Sequence, residues 1–195
     1  TAIYVGDAAN LTIDTTGTIE STEGIALDVG TYSSANSLDI IKAGKIKGKT
    51  YGIYVGEVDN YCGISSATIE GEKTSLCNDS LKTISIDDSE FIGGSDNVIE
   101  NNGSMEISNI TVTTEGSHDG AIYNAGTLTM NSGTVRAARI EGQPESGYGV
   151  NNQGTFNFKG GIVKGETLAV NGTVTYDTGM EGKSGTDTID GKTYQ

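Results

Sequence analysis

The densest group of potential cation ligands in the chain is Asp87-Asp88 with Glu90, three carboxylates within four residues. Hard cations such as Ca2+ are held by oxygen ligands of this kind. These three residues are therefore the candidate metal site, and weak Ca2+ binding is the only cofactor expectation; the plain alternative is a solvated turn at a strand end. Acid–base catalysis needs more, namely an acid, a base and a cation held together. Lys82 is near in sequence but no arginine is. His118, the single histidine, lies in the turn-like phrase Gly116-Ser117-His118-Asp119-Gly120 and reads as a surface residue. Arg136 and Arg139 are the only arginines, and Arg136 alternates with Val135, so it points outward if Val135 points in. No stretch collects the three functions, so no catalytic residue is assigned and the chain is not expected to be an enzyme. Cys62 and Cys77 allow one disulfide or two free thiols, and two lone thiols are too few to hold a metal.

Sugar recognition asks for a different set: exposed aromatic rings beside amides and carboxylates. Two stretches supply it. Residues 30–37 carry Tyr32 and Asn36, and residues 56–61 carry Asp59, Asn60 and Tyr61. These five are the candidate ligand-binding residues, against the simpler reading that both stretches are longer turns. They form one surface only if the fold brings the two stretches to the same place.

The elements that do this are repeats. Asn78, Asn101, Asn124 and Asn152 recur at steps of 23, 23 and 28 residues, each closing the same phrase: Leu76-Cys77-Asn78, Ile99-Glu100-Asn101, Ile122-Tyr123-Asn124 and Val150-Asn151-Asn152. A fixed period of this length marks a solenoid or related array. After the asparagine comes a glycine, a hydroxyl residue and an alternating apolar pair, as in Gly126-Thr127-Leu128-Thr129-Met130 and Gly154-Thr155-Phe156-Asn157-Phe158. Alternation with period two puts both apolar side chains on one face of a strand. A third apolar position follows: Val112, Val135, Val163.

The template predicts eight copies. First strands begin at Ile3, Ile25, Ile53, Leu76, Ile99, Ile122, Val150 and Leu168. Second strands carry Leu11/Ile13, Leu38/Ile40, Cys62/Ile64, Ile84/Ile86, Met105/Ile107, Leu128/Met130, Phe156/Phe158 and Val174/Tyr176. Third strands carry Ile19, Ile46, Ile69, Phe91, Val112, Val135, Val163 and Met180. Three short strands per copy, separated by turn-forming Gly, Asn, Asp, Ser and Thr, describe an all-β, single-domain parallel β-helix over 1–195, with about eight coils. The asparagine slot reads Val5, Leu27, Val55, four asparagines and Val170. Aliphatic neighbours in that column predict a buried ladder of stacked amides at Asn78, Asn101, Asn124 and Asn152. In this register Cys62 points inward and Cys77 outward, which argues against a bridge. Tyr4, Tyr54 and Tyr123 share an outward column interrupted by Ala26, Cys77 and Glu100.

A net charge of −14 with two arginines argues against nucleic acid, which needs clustered Lys and Arg. No apolar run is long enough to span a bilayer, so no membrane insertion is expected. The outward residues of the second strand, Thr12, Asp39, Gly63, Ser85, Glu106, Thr129, Asn157 and Thr175, are no threonine array, which argues against ice binding.

Residues 119–135, Asp-Gly-Ala-Ile-Tyr-Asn-Ala-Gly-Thr-Leu-Thr-Met-Asn-Ser-Gly-Thr-Val, resemble the repeats of bacterial surface proteins with right-handed β-helices, such as autotransporter passenger domains and Gram-positive adhesins. The chain is also similar to the broader pectate-lyase-like superfold. The resemblance runs best from Asn97 to Val174. It implies a secreted or surface-exposed segment of a larger protein with flanking domains. The function expected is that of a non-catalytic adhesin or stalk with a glycan or host-surface receptor as partner. The alternative is a polysaccharide lyase or hydrolase, or a calcium-dependent sugar-binding relative. Members of that superfold with activity use carboxylates with a Lys, Arg or His, a grouping not found here.

Overall fold

The period-two alternation becomes three parallel sheets wrapped around one core. The computed structural model describes residues 1–144, 146–177, 185–189 and 192–195. No helix occurs among them, and the chain winds as a parallel β-solenoid of seven complete three-strand coils followed by a partial eighth. First strands such as Thr74–Asn78, Asn97–Asn101, Gly120–Asn124 and Tyr148–Asn152 stack into an eight-stranded sheet. Second and third strands form the other two faces. They are joined because residues Ala35–Gly48 run as one 14-residue strand around a corner. Short separate strands were expected there. An extra residue bulges the register after Ile13, pairing Asp14 with Lys42 and pushing Ile41 outward, which lets pairing continue through the bend.

Every pairing from coil to coil is parallel, and it sets like on like. The inward column of the third strands is Ile19, Ile46, Ile69, Phe91, Val112, Val135 and Val163. The second strands likewise stack in the predicted register from Leu11/Ile13 to Phe156/Phe158. Met180 lies outside the described residues. In the middle coils these side chains are fully buried, each contributing about 1.5–3 kcal/mol of apolar burial. At the two ends the inward residues Ile3, Leu11, Ile19, Val163, Val170 and Val174 are only half-buried. A small antiparallel pair, Asp187–Ile189 with Lys192–Tyr194, leads to Gln195, which exchanges backbone hydrogen bonds with Gly165 at 2.8 and 3.1 Å.

The first-strand register corrects the sequence expectation at two coils. Leu27, not Ile25, pairs with Ile3 and Ile53, and Val170, not Leu168, pairs with Val150. The slot of the asparagine column in coil two is therefore Val29 rather than Leu27, and in coil eight it moves beyond Val170 to Gly172. The residue interrupting the tyrosine column is Asp28 rather than Ala26. The reason is backbone contact at the corner. Gly30 N donates to Val5 O at 2.7 Å and Gly56 N to Val29 O at 2.7 Å, so the three Val-Gly pairs must stack. A Cβ on Gly30, whose φ is 75°, would meet Glu57 O at 2.1 Å.

The asparagine ladder is buried as expected. Asn78, Asn101 and Asn124 are 0% exposed and Asn152 4%. Each Nδ2 donates twice: to the Oδ1 of the next asparagine (2.8, 2.7 and 2.6 Å along the column) and to a backbone carbonyl of the next coil, Ser104, Thr127 or Thr155. The ends are satisfied too, since Ser80 N donates to Asn78 Oδ1 and Asn152 Nδ2 donates to Thr173 O. The neighbouring glycines are equally constrained: a Cβ on Gly126 would meet Gly103 O at 2.0 Å.

Asn124→Asp removes the donor pair and aims a carboxylate at Asn152 Oδ1 and Thr155 O. The expected loss is about 3–5 kcal/mol at neutral pH, the scale of a buried unpaired charge. The folded state then favours the protonated acid, so its pKa rises above the unfolded value. The penalty is absent below about pH 4 and grows as pH rises. Denaturant melts of parent and variant at acid and neutral pH measure it; curves that coincide at neutral pH would refute a buried ladder. Gly126→Ala is expected to cost about 1–3 kcal/mol by overpacking in the same melts.

Candidate functional site

The two inserted stretches share one corner. Ala35 pairs with Val58 and Ser37 with Tyr61, one coil above the other, and Ala35 N donates to Glu57 O at 3.0 Å. The five candidate ligand residues are thus brought to one side of coils two and three. Their side chains divide into three groups. Tyr32 is 86% exposed, and its ring lies 5.8 Å from that of Tyr4, tilted by 54°. Tyr4 is held by Ser33, whose Oγ lies 3.1 Å from the Tyr4 hydroxyl and donates to Asp7 Oδ1 at 2.9 Å. Asn36 and Asn60 form a second, exposed amide ladder: Asn60 Nδ2 donates to Asn36 Oδ1, and Asn36 Nδ2 to Asn10 Oδ1 at 2.5 Å. Asp59 is exposed beside them. Tyr61 turns along the second sheet, where its ring covers Gly63; a Cβ on Gly63 would meet the Tyr61 hydroxyl at 2.1 Å.

The aromatic surface at the corner is therefore Tyr4 with Tyr32. Tyr4 was visible as a member of an outward column, but not as a partner of the loop. Its signal was the Val5-Gly6 pair, which fixes coil one under the Val29-Gly30 corner from which Tyr32 projects.

Along the second sheet the outward column is the expected one, Thr12, Asp39, Gly63, Ser85, Glu106, Thr129, Asn157 and Thr175. The small pair Gly63 and Ser85 leaves a cleft of ≈ 450 Å³ lined by Tyr61, Ser85, Asp87, Glu106 and Asn109 among others.

The candidate metal ligands are spread around a corner. Asp87 ends the strand Thr83–Asp87, Asp88 is the turn residue with φ 47°, and Glu90 opens the strand Glu90–Gly93. Asn109 Nδ2 donates to Asp87 Oδ1 at 3.1 Å. The corner stacks Ser66, Asp88 and Asn109, all at positive φ, where short polar side chains are tolerated. Among the described residues no group of three or more His, Cys, Asp or Glu is arranged to hold a metal ion. His118 is exposed with its N–H on Ser95 O at 3.1 Å, and Arg136 pairs with Glu115 at 3.4 Å. The Arg139 backbone N–H donates to Glu166 at 2.8 Å. On the third-strand face Lys45 and Lys47 contact Glu70 at 2.9 and 2.8 Å. The Lys47 and Lys45 hydrogen bonds hold the Glu70 carboxyl below its ordinary pKa.

On the first-strand face Tyr54 donates to Asp79, and that hydrogen bond raises its phenol well above the usual value. Asn102 Nδ2 bridges Asp79 Oδ1 at 2.8 Å and Glu100 Oε1 at 3.0 Å. Cys77 sits between Tyr54 and Glu100 in this column, buried under its neighbours, while Cys62 points into the core; both thiols are free. Outward and inward positions on different sheets keep them apart.

No family model matches this chain, no curated protein matches it and no solved structure matches it. The class is therefore defined by the fold, a parallel β-solenoid.

Burial pushes the Cys62 thiol up to about 12 and lifts Cys77 further, with the Glu100 and Asp79 charges adding to it. Thiolate is the reactive form. Iodoacetamide at mildly alkaline pH is expected to label neither cysteine in the folded protein and both in denaturant, as read by intact mass. Fast labelling of either in the folded state would contradict this burial.

Proposed function

We propose that this chain is a non-catalytic solenoid segment of a bacterial cell-surface or secreted protein, an adhesin or stalk that binds saccharide or a host-surface receptor at the stacked corner of coils one to three. The observation that carries the reading is the Tyr4–Tyr32 pair. A ring 86% exposed, seated beside a second ring whose hydroxyl meets Ser33 and through it Asp7, on the same corner as the Asn10–Asn36–Asn60 amides, offers an apolar face near hydrogen-bonding groups. Sugar rings present the complementary pattern of axial C–H faces and equatorial hydroxyls. The contact is shallow and partly solvated, so each site binds weakly. A rigid rod carrying such a site gains avidity when several copies are displayed together.

Tyr32→Ala is the direct test. It removes an exposed ring and no core contact, so the thermal midpoint is expected to stay within about 1–2 °C, in line with surface substitutions. Binding on a glycan array is expected to fall by about tenfold or more, the ~1.4 kcal/mol scale of one aromatic contact. An array signal that survives the substitution excludes this corner as the binding site. Release of oligosaccharides from an acidic polysaccharide, lost in Asp87→Ala, would replace the reading with the enzymatic one.

A further inference from the structure

The cleft on the second-strand face is separate from the Tyr4–Tyr32 corner and has its own chemistry. Between Asp39 and Glu106 the outward column falls to Gly63 and Ser85, the smallest consecutive pair in its eight positions. Tyr61 lays its ring over Gly63 and is still 51% exposed, so it forms one wall and part of the floor. The other walls are Asp87, Glu106 and Asn109, with the Ser65, Ser85 and Ser108 hydroxyls between them. Asn109 Nδ2 occupies one oxygen of Asp87, and Asn131 Nδ2 occupies Glu106 Oε1 at 2.7 Å. These amides hold one oxygen of each carboxylate, and both residues are exposed and line the cleft. No lysine or arginine lines it.

We infer that this cleft binds a hexosamine unit with a free, protonated amine, its ring stacked on Tyr61 and its ammonium received by Asp87 and Glu106. An aromatic face selects a pyranose ring. Two carboxylates without a neighbouring cation select a positive charge and repel uronic acids. The ≈ 450 Å³ volume suits one or two sugar units rather than a long chain. The inference goes beyond the corner reading: it adds a second saccharide site, with its own sugar class, at a place that does not use Tyr4 or Tyr32.

The probe is a glucosamine oligosaccharide of a few units, titrated calorimetrically at mildly acid pH, with the N-acetylated and galacturonate oligomers of equal length beside it. Expected is binding of the free-amine oligomer, weaker binding of the acetylated one and none of the galacturonate. Tyr61→Ala is expected to weaken the free-amine oligomer at least tenfold. Because it leaves the net charge at −14, diffuse attraction of a cation to an acidic protein survives it, and unchanged affinity in this variant would overturn the inference. Asp87→Asn with Glu106→Gln is expected to erase the preference for the free amine over the acetylated sugar. Gly63→Thr, which displaces the Tyr61 ring by filling the floor, is expected to abolish binding while far-ultraviolet dichroism stays that of the parent. Tyr32→Ala separates the two sites. If it abolishes array binding but spares glucosamine, both readings stand. If array binding never appears but Tyr61→Ala still loses glucosamine, only the corner reading fails. Galacturonate binding as tight as glucosamine also sinks the cleft assignment.

Discussion

Parallel, in-register pairing between successive coils is the constraint on which the molecule depends. Each coil lies one strand spacing, about 4.8 Å, above the last, so every residue meets its own equivalent. An isoleucine on an isoleucine buries both. An asparagine on an asparagine satisfies both amides, and the ladder from Asn78 to Asn152 leaves no side-chain amide of the column unpaired. The same closeness forbids a Cβ at Gly103, Gly126 and Gly154, where the backbone of the preceding coil already occupies that space. The pairing thus accounts for the apolar columns, the amide column and the glycine column together.

The corner after the first strand is solved in two ways along the rod. From coil four on, the backbone carbonyls of Asn78, Asn101 and Asn124 each accept from two residues one coil on, as Asn101 O does from Ala125 N and Gly126 N. Coils one to three use Val-Gly, with the amide slot filled by Val5, Val29 and Val55. In coils two and three the second strands begin early, at Ala35 and Val58, and pair with each other, so residues 35–37 and 58–61 of the inserted stretches are extended strand and only the turns before them differ in length. The first coils display the Tyr4–Tyr32 rings and the Asn10–Asn36–Asn60 amides, while Asp87, Glu106 and Asn109 of the second-face cleft belong to coils four and five.

The repeat was legible because a solenoid writes its contacts into the sequence at a constant period. All seven second-strand pairs and seven third-strand positions of the complete coils followed from spacing and alternation, as did the burial of Asn124 from the valines elsewhere in its column. The misplacements at Ile25 and Leu168 had one origin. An isoleucine or leucine two residues early matches a period-two pattern as well as the true residue does, and apolarity alone cannot separate them. The Val-Gly and Asn-x-Gly corners can, because glycine marks where backbones touch. The fused strand Ala35–Gly48 was not legible, since whether a bulge ends a strand or bends it depends on the partner above and below.

By itself the sequence determined the architecture: which second- and third-strand side chains face the core and which amides stack. These follow from local period, and stacking repeats that period without long-range choice. Only the tertiary structure decided where side chains at the corners point. Tyr32 turns toward Tyr4, Tyr61 turns across Gly63 into a separate cleft, and Asp87, Asp88 and Glu90 diverge around a bend. Those orientations are set by contacts between neighbouring coils, at positions where side-chain size and hydrogen-bond partners differ from coil to coil and no repeat records them.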